Sequence, residues 1–358
     1  MRVLIAGGGT GGHVYPGIAV AKEIVRQFPD AEMLFVGTER GLESRVVPQE
    51  GFQLKKITIS GLKGIKGLRR LGSLFKIPWS LWESFQIVSQ FKPRVVIGVG
   101  GYSSGPPVLV AGLLRIPVLL QEQNATPGVT NRLLARLACY VATSFPESQD
   151  FFGKKAVLTG NPVRREFLQL RMKVSSEPFV VVFVGGSQGA RAINQAAIQS
   201  LKFLESILTR LRFVHQTGES DFEEVRKAYG QVTLASDVRP FFYDMPAQYA
   251  QADLLVSRAG ATTLAEITLS GKASILIPFP YAADNHQQRN AESLVHAGAA
   301  EMILQDDLSG EVLANRIRFF LDHRSILEQM AANSRRCGRP EATEKIVELV
   351  RELAWGTV

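Results

Sequence analysis

The sequence predicts an α/β chain of two Rossmann-like, doubly wound domains facing a cleft, and three observations predict it. Apolar runs of four to six residues alternate with amphipathic helical segments. The runs lack the in-out alternation of a half-exposed strand, as expected of parallel strands covered on both faces, and the helices between them imply right-handed crossovers. The third observation is an echo: RVLIAGGGTGGH at 2–13 and VVVFVGGSQGAR at 180–191 are each a hydrophobic strand, a glycine turn and a helix start. No short period accompanies the echo, which excludes a solenoid.

In the first half, strands are predicted at Val3–Ala6, Met33–Val36, Val95–Val99, Val118–Gln121 and Tyr140–Thr143. In the second half they fall at Val180–Val184, Arg212–Gln216, Val232–Leu234, Leu254–Ser257 and Ser274–Pro278. Asn161-Pro162, followed by Arg164-Arg165, reads as the crossover, giving domains 1–162 and 163–340. A second break at Cys337-Gly338-Arg339-Pro340 precedes a last helix, 341–353, whose segment 341–358 can return to the first domain. In doubly wound folds ligands sit at the carboxyl ends of the strands, so a ligand is expected where the two domains face each other.

The 358 residues suffice for two full cores, and 46% hydrophobic with 21% charged is a globular composition. The net charge of +8 is unevenly spread. Residues 1–160 hold 19 Lys and Arg against 10 Asp and Glu, whereas 161–358 hold 22 against 23. One half is therefore expected to face something anionic. Two isolated cysteines, Cys139 and Cys337, offer no disulfide framework and point to a reducing compartment. MRVLIAGGG is a buried strand running into glycines rather than a signal peptide. The longest uncharged run, Val95 to Leu114, contains GVGGYSSGPP and reads as strand, loop and helix rather than a membrane span. Neither a Cys/His cluster nor HExxH suggests a metal, and no cofactor is expected.

Gly7, Gly9 and Gly12 satisfy GxGxxG, so a dinucleotide reading is available. It wants an acid closing the second strand; Asp30 precedes that strand, and Glu39, three residues past its end, could serve. More generally, glycines let backbone N–H groups approach an anion at a helix N-terminus. His13 starts such a helix and can act as a general base or hydrogen-bond a phosphate; otherwise it is a solvated polar residue. In the second half, Ser187 adds a hydroxyl within GGSQG, and Thr262 and Thr263 open a helix suited to a diphosphate. Glu266 either caps that turn or accepts hydrogen bonds from a ribose. Asp284, His286, Gln287 and Gln288 follow on a loop where amides can read sugar hydroxyls.

Seven motifs, in order, carry a resemblance: GGGTGGHVYPG at 7–17, ISGLKGIKG at 59–67, GVGGYSSGP at 98–106, QEQNATPGVTN at 121–131, GNPVR at 160–164, GGSQGAR at 185–191 and SRAGATTLAE at 257–266. Over nearly the whole chain they resemble the MurG family of bacterial peptidoglycan glycosyltransferases. Those enzymes move N-acetylglucosamine from its UDP-sugar onto undecaprenyl-diphospho-muramoyl-pentapeptide (lipid I to lipid II). The resemblance implies a GT-B fold, with acceptor and membrane on the first domain and UDP-N-acetylglucosamine on the second. By position it places Thr10, Gly11, Gly12, Asn124 and Arg164 on the donor side, with Ser187 at the nucleotide-sugar and backbone near Phe242 at the uracil. Ala261, Thr262, Thr263, Leu264, Ala265 and Glu266 would hold diphosphate and ribose, with Glu266 on the ribose. Gln287, or failing that Gln288, would read the N-acetylglucosamine. His13, Tyr102, Glu122 and Asn131 are the acceptor-side candidates.

An α-linked donor and a β-linked product require inversion: one direct attack, one general base and a stabilised leaving group. His13 is the expected base, with Glu122 its rival or its orienting partner. No Asp-X-Asp occurs, so helix dipoles and backbone donors, assisted by Arg164, are expected to hold the diphosphate without a metal. A membrane contact is expected within Ile65 to Trp82, on the cytoplasmic face of the bacterial inner membrane. Five of the fourteen residues from Lys63 to Lys76 are basic, and aromatic residues follow at helical spacing. Most residues after Pro78 are expected to pack inward, leaving Ile65 to Phe75 as the better candidates for lipid contact. Nucleic acid is not an expected partner, since no recognition motif accompanies the basic stretch. Two other classes stay open: a UDP-N-acetylglucosamine 2-epimerase on the same scaffold, and a non-catalytic sugar-nucleotide-binding subunit.

Overall fold

A computed structural model describes residues 1–59, 68–170, 177–186 and 189–356, apart from the side chains of 68–76. It divides into two compact units, Met1–Arg164 with Glu341–Val358, and Arg165–Pro340.

Unit 1 has seven parallel strands: β1 (Arg2–Ala6), β2 (Glu32–Gly37), β3 (Gln53–Lys56), β4 (Val95–Gly98), β5 (Val118–Glu122), β6 (Tyr140–Thr143) and β7 (Ala156–Leu158). Their order across the sheet is β3-β2-β1-β4-β5-β6-β7. The helices are α1 (Gly11–Gln27), α2 (Glu43–Gln49), α3 (Leu68–Phe91), α4 (Gly105–Leu113) and α5 (Val129–Leu134). Successive side chains of a strand point to opposite faces. On β1, Val3 and Ile5 join one core with Val14, Ile18 and Ile24 of α1, whereas Leu4 joins the other with Val88 of α3 and Val108 of α4. Double coverage explains why β1, β4 and β5 are apolar throughout their middles.

Unit 2 has β8 (Phe179–Val184), β9 (Leu211–Gln216), β10 (Ala235–Arg239), β11 (Leu254–Ser257), β12 (Ala273–Leu276) and β13 (Glu301–Met302), in the order β10-β9-β8-β11-β12-β13, again all parallel. Its helices are α6 (Arg191–Leu204), α7 (Phe222–Tyr229), α8 (Met245–Gln251), α9 (Ala261–Ser270), α10 (His286–His296), α11 (Gly310–Asp322) and α12 (Arg324–Cys337). Phe179, Val181 and Phe183 of β8 pack with Ile193 and Ala197 of α6 and Ile317 of α11.

The last helix, α13 (Ala342–Trp355), belongs to unit 1. Its Ile346, Val347, Val350 and Leu353 complete the core beneath α1. Tyr140 Oη donates to Glu352 at 2.7 Å, and the Phe28 and Trp355 ring centroids lie 5.2 Å apart.

Two expectations change. The strand expected at Val232–Leu234 lies at Ala235–Arg239, where ASDVR has no apolar run. It is an edge strand, bonded only to β9, and so does not need one. Residues after Pro78 divide rather than packing inward together. Ser80, Ser84 and Val88, spaced by four, are buried, while Trp79 and Trp82 are 54% and 49% exposed. The small serines let α3 lie against α4. Their hydroxyls bond back to Ile77 and Ser80 carbonyls at 2.8 and 2.6 Å, which satisfies them within the helix and lets the serine face be buried. The stretch Ile65 to Gly67, and the side chains up to Phe75, lie outside the described residues.

Candidate functional site

Strand order decides where each unit can bind. In unit 1 the chain winds outward from β1 in one direction and from β4 in the other, so the loops after β1 and β4 flank a switch point. In unit 2 the same reversal lies between β8 and β11. The loops at these positions are GGGTGGH, GVGGYSS, GGSQG and SRAGATT. Four motifs far apart in sequence thus occupy the two places where this fold binds ligands.

In unit 1, Thr10 is the residue before α1, and both the His13 and Val14 N–H groups donate to its carbonyl at 3.2 Å. Gly11 and Gly12 form the first turn. His13 Nδ1 lies 3.3 Å from the Gly8 carbonyl and 3.3 Å from Thr10 Oγ1. Nδ1 donates to the Gly8 carbonyl in one neutral tautomer and accepts from the Thr10 hydroxyl in the other. The loop carrying His13 is held from below by Glu43, which the sequence gave no reason to single out. This carboxylate is 1% exposed; Oε2 accepts from Gly9 N–H at 2.7 Å, and Oε1 from the Thr38 N–H and hydroxyl at 2.8 and 2.9 Å. Gly8, Gly37 and Gly41 crowd around it so closely that a Cβ at any of them would strike the carboxyl.

Glu122 ends β5, also 1% exposed. One oxygen accepts from Asn124 N–H and Nδ2 at 3.0 and 3.3 Å, the other from Gly128 N–H and Asn131 Nδ2 at 3.0 and 2.9 Å. Burial raises its pKa against the lowering effect of these donors. All four lone-pair positions are taken, so Glu122 shapes the loop 123–128 and fixes Asn124 at its start. Asn131 is buried, its Nδ2 shared between Glu122 and the Gln121 carbonyl. Tyr102 lies part-exposed in the turn after Gly101, and Arg164 ends unit 1.

In unit 2, α9 starts at Ala261 after Gly260, with no side-chain cap. The opening amides of a helix have no intrahelical acceptor, which leaves those of Ala261, Thr262 and Thr263 directed outward. The Leu264 N–H already donates to the Gly260 carbonyl at 3.0 Å, and its side chain is buried. Glu266 is the sixth helical residue, one turn too late to cap. It is part-exposed beside Ala265. Phe242 is buried, and its N–H donates to Gln216 Oε1 at 2.9 Å while Gln216 Nε2 donates to the Gly186 carbonyl at 3.0 Å. Gln216, another residue missed in the sequence, thus ties together the loops after β8 and β10. Ser187 lies outside the described residues. Before α10, Asp284 and Asn285 both adopt left-handed backbone, φ 55° and 53°. Gln287 Oε1 accepts from Phe279 N–H at 3.0 Å, whereas Gln288 Nε2 donates to Glu292 at 3.0 Å. Arg258 fastens this region, donating to the Ile277 and Pro278 carbonyls at 3.1 and 3.2 Å.

Two Rossmann-like domains, each built on an all-parallel sheet, define the fold of the GT-B class of glycosyltransferases. The chain belongs to glycosyltransferase family 28: residues 3–143 match its N-terminal domain and 180–349 its C-terminal domain. It is 49% identical to a Myxococcus xanthus protein over 99% of this chain and 94% of that one, and 44% identical to a Thermodesulfovibrio yellowstonii protein over 99% of each. Both are named UDP-N-acetylglucosamine–N-acetylmuramyl-(pentapeptide) pyrophosphoryl-undecaprenol N-acetylglucosamine transferase. Among solved structures, MurG of Acinetobacter baumannii is 34% identical, with a TM-score of 0.81 over 98% of this chain and 99% of that one. A Neisseria meningitidis UDP-GlcNAc 2-epimerase covers 98% of this chain and all of its own at a TM-score of 0.68 but 14% identity, which is a likeness of fold alone.

Proposed function

We infer that this chain transfers N-acetylglucosamine from UDP-N-acetylglucosamine to the C4 hydroxyl of undecaprenyl-diphospho-muramoyl-pentapeptide, with inversion. The observation that carries the reading is 49% identity, along 99% of the chain, to a transferase of that name. In this reading His13 Nε2 takes the proton of the C4 hydroxyl as its oxygen attacks the anomeric carbon. The bond from that carbon to the diphosphate breaks, and its electron pair leaves with UDP. The amides of Ala261 to Thr263, with Thr262 and Thr263 hydroxyls, receive the diphosphate; Glu266 takes the ribose hydroxyls. Gln287, braced through its oxygen by Phe279, turns its Nε2 to the sugar; Gln288 is committed to Glu292. Backbone beside Phe242, with Ser187, Thr10, Gly11, Gly12, Asn124 and Arg164, completes the donor side, and Tyr102 faces the acceptor. Glu122 and Asn131 act by shaping the loop that carries Asn124.

No helix among the described residues is long and apolar enough to cross a membrane. A lipid-linked acceptor then calls for a peripheral contact on the cytoplasmic face. The exposed Trp79 and Trp82, their ring centroids 5.0 Å apart, together with the basic residues 63–76, suit an anionic surface. One assay tests the reading: UDP release from UDP-N-acetylglucosamine with and without a soluble lipid-acceptor analogue. Release that depends on acceptor is expected. Epimerised donor without acceptor would overturn the reading, as would binding without turnover.

A further inference from the structure

The carboxylate beneath the first glycine loop has no part in the reaction outlined above. Glu43 is buried, and all three of its hydrogen bonds are accepted: from Gly9 N–H at 2.7 Å and from the Thr38 N–H and hydroxyl at 2.8 and 2.9 Å. Accepting alone is the pattern of an ionised carboxyl. Among the residues whose side chains are described, no cation pairs with it. Burying a charge against dipoles without a counter-ion is costly, and groups so held cluster at functional sites.

The peptide that meets Glu43 also meets His13. The Gly8 carbonyl and the Gly9 N–H belong to one peptide unit, and a trans peptide points them in opposite directions. Its N–H end donates to Glu43 Oε2, while its carbonyl oxygen lies 3.3 Å from His13 Nδ1. Carboxylate, peptide and imidazole therefore stand in series, and hydrogen bonds in series polarise one another. Both flanks of this peptide are closed to side chains. A Cβ on Gly8 would strike the Glu43 carboxyl, and one on Gly101 would lie 2.7 Å from the Gly8 oxygen and 3.6 Å from His13 Nδ1. Gly9, with a φ of 90°, makes the turn from this peptide toward α1.

An imidazolium carries a proton on both nitrogens, whichever neutral tautomer preceded it. Its Nδ1–H has the Gly8 carbonyl as acceptor, and behind that carbonyl stands the Glu43 charge. The series thus matches the ring better after proton transfer than before it, which is the condition for lowering a barrier. We propose that Glu43 is a positioning residue of the transfer reaction, acting through the Gly8–Gly9 peptide to orient His13 and stabilise its protonated form. The proposal rests on His13 being the base. The glycine run of unit 1 then serves the imidazole rather than a phosphate, since its Gly9 amide is committed and a negative charge lies beneath it. The other titratable groups on the segments about the ring are Tyr15 of α1, Glu39 and Arg40 after β2, Tyr102 after β4 and Glu122 at the end of β5. Glu39 pairs with Lys56, and Glu122 is engaged by its own loop.

The test combines turnover with NMR titration, in wild type, His13→Ala, Glu43→Gln, Thr38→Val and His13→Ala with Glu43→Gln. Glu43→Gln keeps the shape and removes the charge; it should lower kcat roughly tenfold with KM for the donor little changed. The acid limb of its pH profile, and the His13 resonance in the enzyme without substrates, should both move down by about one pH unit, because the charged ring loses a favourable neighbour. Thr38→Val loosens the same carboxylate but spares its charge and its bond to Gly9, so the His13 titration should stay in place. Glu43→Gln should cost nothing further in the His13→Ala background. An unmoved His13 titration in Glu43→Gln, an equal shift in Thr38→Val, or additive losses in the double variant overturns the proposal while leaving His13 as base. Near wild-type turnover in His13→Ala instead sinks the base reading itself. In wild type, the Gly9 amide resonance should follow the midpoint of the His13 titration; indifference to it overturns the proposal even where Glu43→Gln fails to fold. An unchanged indole resonance of Trp355, whose ring packs on Phe28, certifies that unit 1 is folded in each variant.

Discussion

On sequence grounds His13 is the expected base and Glu122 its rival or orienting partner, and their surroundings separate them. The described contacts of His13 fall on Nδ1, beside the Gly8 carbonyl and the Thr10 hydroxyl, while Glu122 has every lone pair engaged by its own loop. His13→Ala should lower acceptor-dependent turnover by about 10²- to 10⁴-fold, with donor affinity by calorimetry little changed. Glu122→Gln turns an amide NH₂ toward two N–H donors. It should destabilise the fold by about 1–3 kcal/mol in denaturant unfolding, with only partial loss of activity. Full stability with abolished turnover would instead restore Glu122 as the base. Glycine loops were legible in the sequence because glycine has few other uses at a strand end. What braces them was not. Glu43 reaches Gly9 across 34 positions and Gln216 reaches Phe242 across 26, and nothing in a linear pattern marks such pairs. Each does sit where a strand or helix boundary carries a buried polar group, which is the one signal available.

Among the elements, central strands were foreseen nearly to the residue, and edges were not. β3, β7, β10 and β13 each border one neighbour only, and three of them were missed while the fourth was displaced. A strand covered on both faces must be apolar throughout; an edge strand such as QLKK or ASDVR is under no such demand. α3 shows the complementary error. Its aromatic residues have the spacing of a core stripe, yet the serines face inward. Replacing Trp79 and Trp82 together by Ala should weaken sedimentation with anionic vesicles several-fold, while transfer to a soluble acceptor analogue continues. Vesicle binding that survives the double change would move the lipid contact elsewhere. Bound fractions should also fall with added salt, because attraction between basic residues and an anionic surface acts only within a Debye length.

At the scale of the whole molecule, the uneven charge of the two halves fits a division of labour: basic residues for lipid, helix starts for the nucleotide diphosphate. The chain also carries a pH liability far from its chemistry. His215 is fully buried in unit 2, between Tyr229 Oη and Asn194 Oδ1, both at 2.9 Å. Burial lowers its pKa from 6.5 to about 3, so the folded protein keeps it neutral. Unfolding frees it to bind a proton below its ordinary pKa. Its contribution is therefore whole above pH 6.5 and is lost between 6.5 and about 3, at up to roughly 1.4 kcal/mol per pH unit. His215→Gln should flatten that part of the stability curve, measured by urea unfolding from pH 7 to pH 4. A curve unchanged by the substitution would count against the assignment.

The return of α13 to unit 1 sets a schedule for making the protein. The ribosome releases Met1–Arg164 first, but this portion lacks Ile346, Val347, Val350 and Leu353, four core side chains contributing about 1.5–3 kcal/mol each. Unit 2, drawn from one uninterrupted stretch, has all its strands and helices before α13 emerges. The half begun first is thus finished last, and during synthesis the groove beneath α1 stands open to water and to other nascent chains. A chain ended at Pro340 should stay in that condition: unit 2 still cooperative in hydrogen exchange, unit 1 loosened and prone to aggregate.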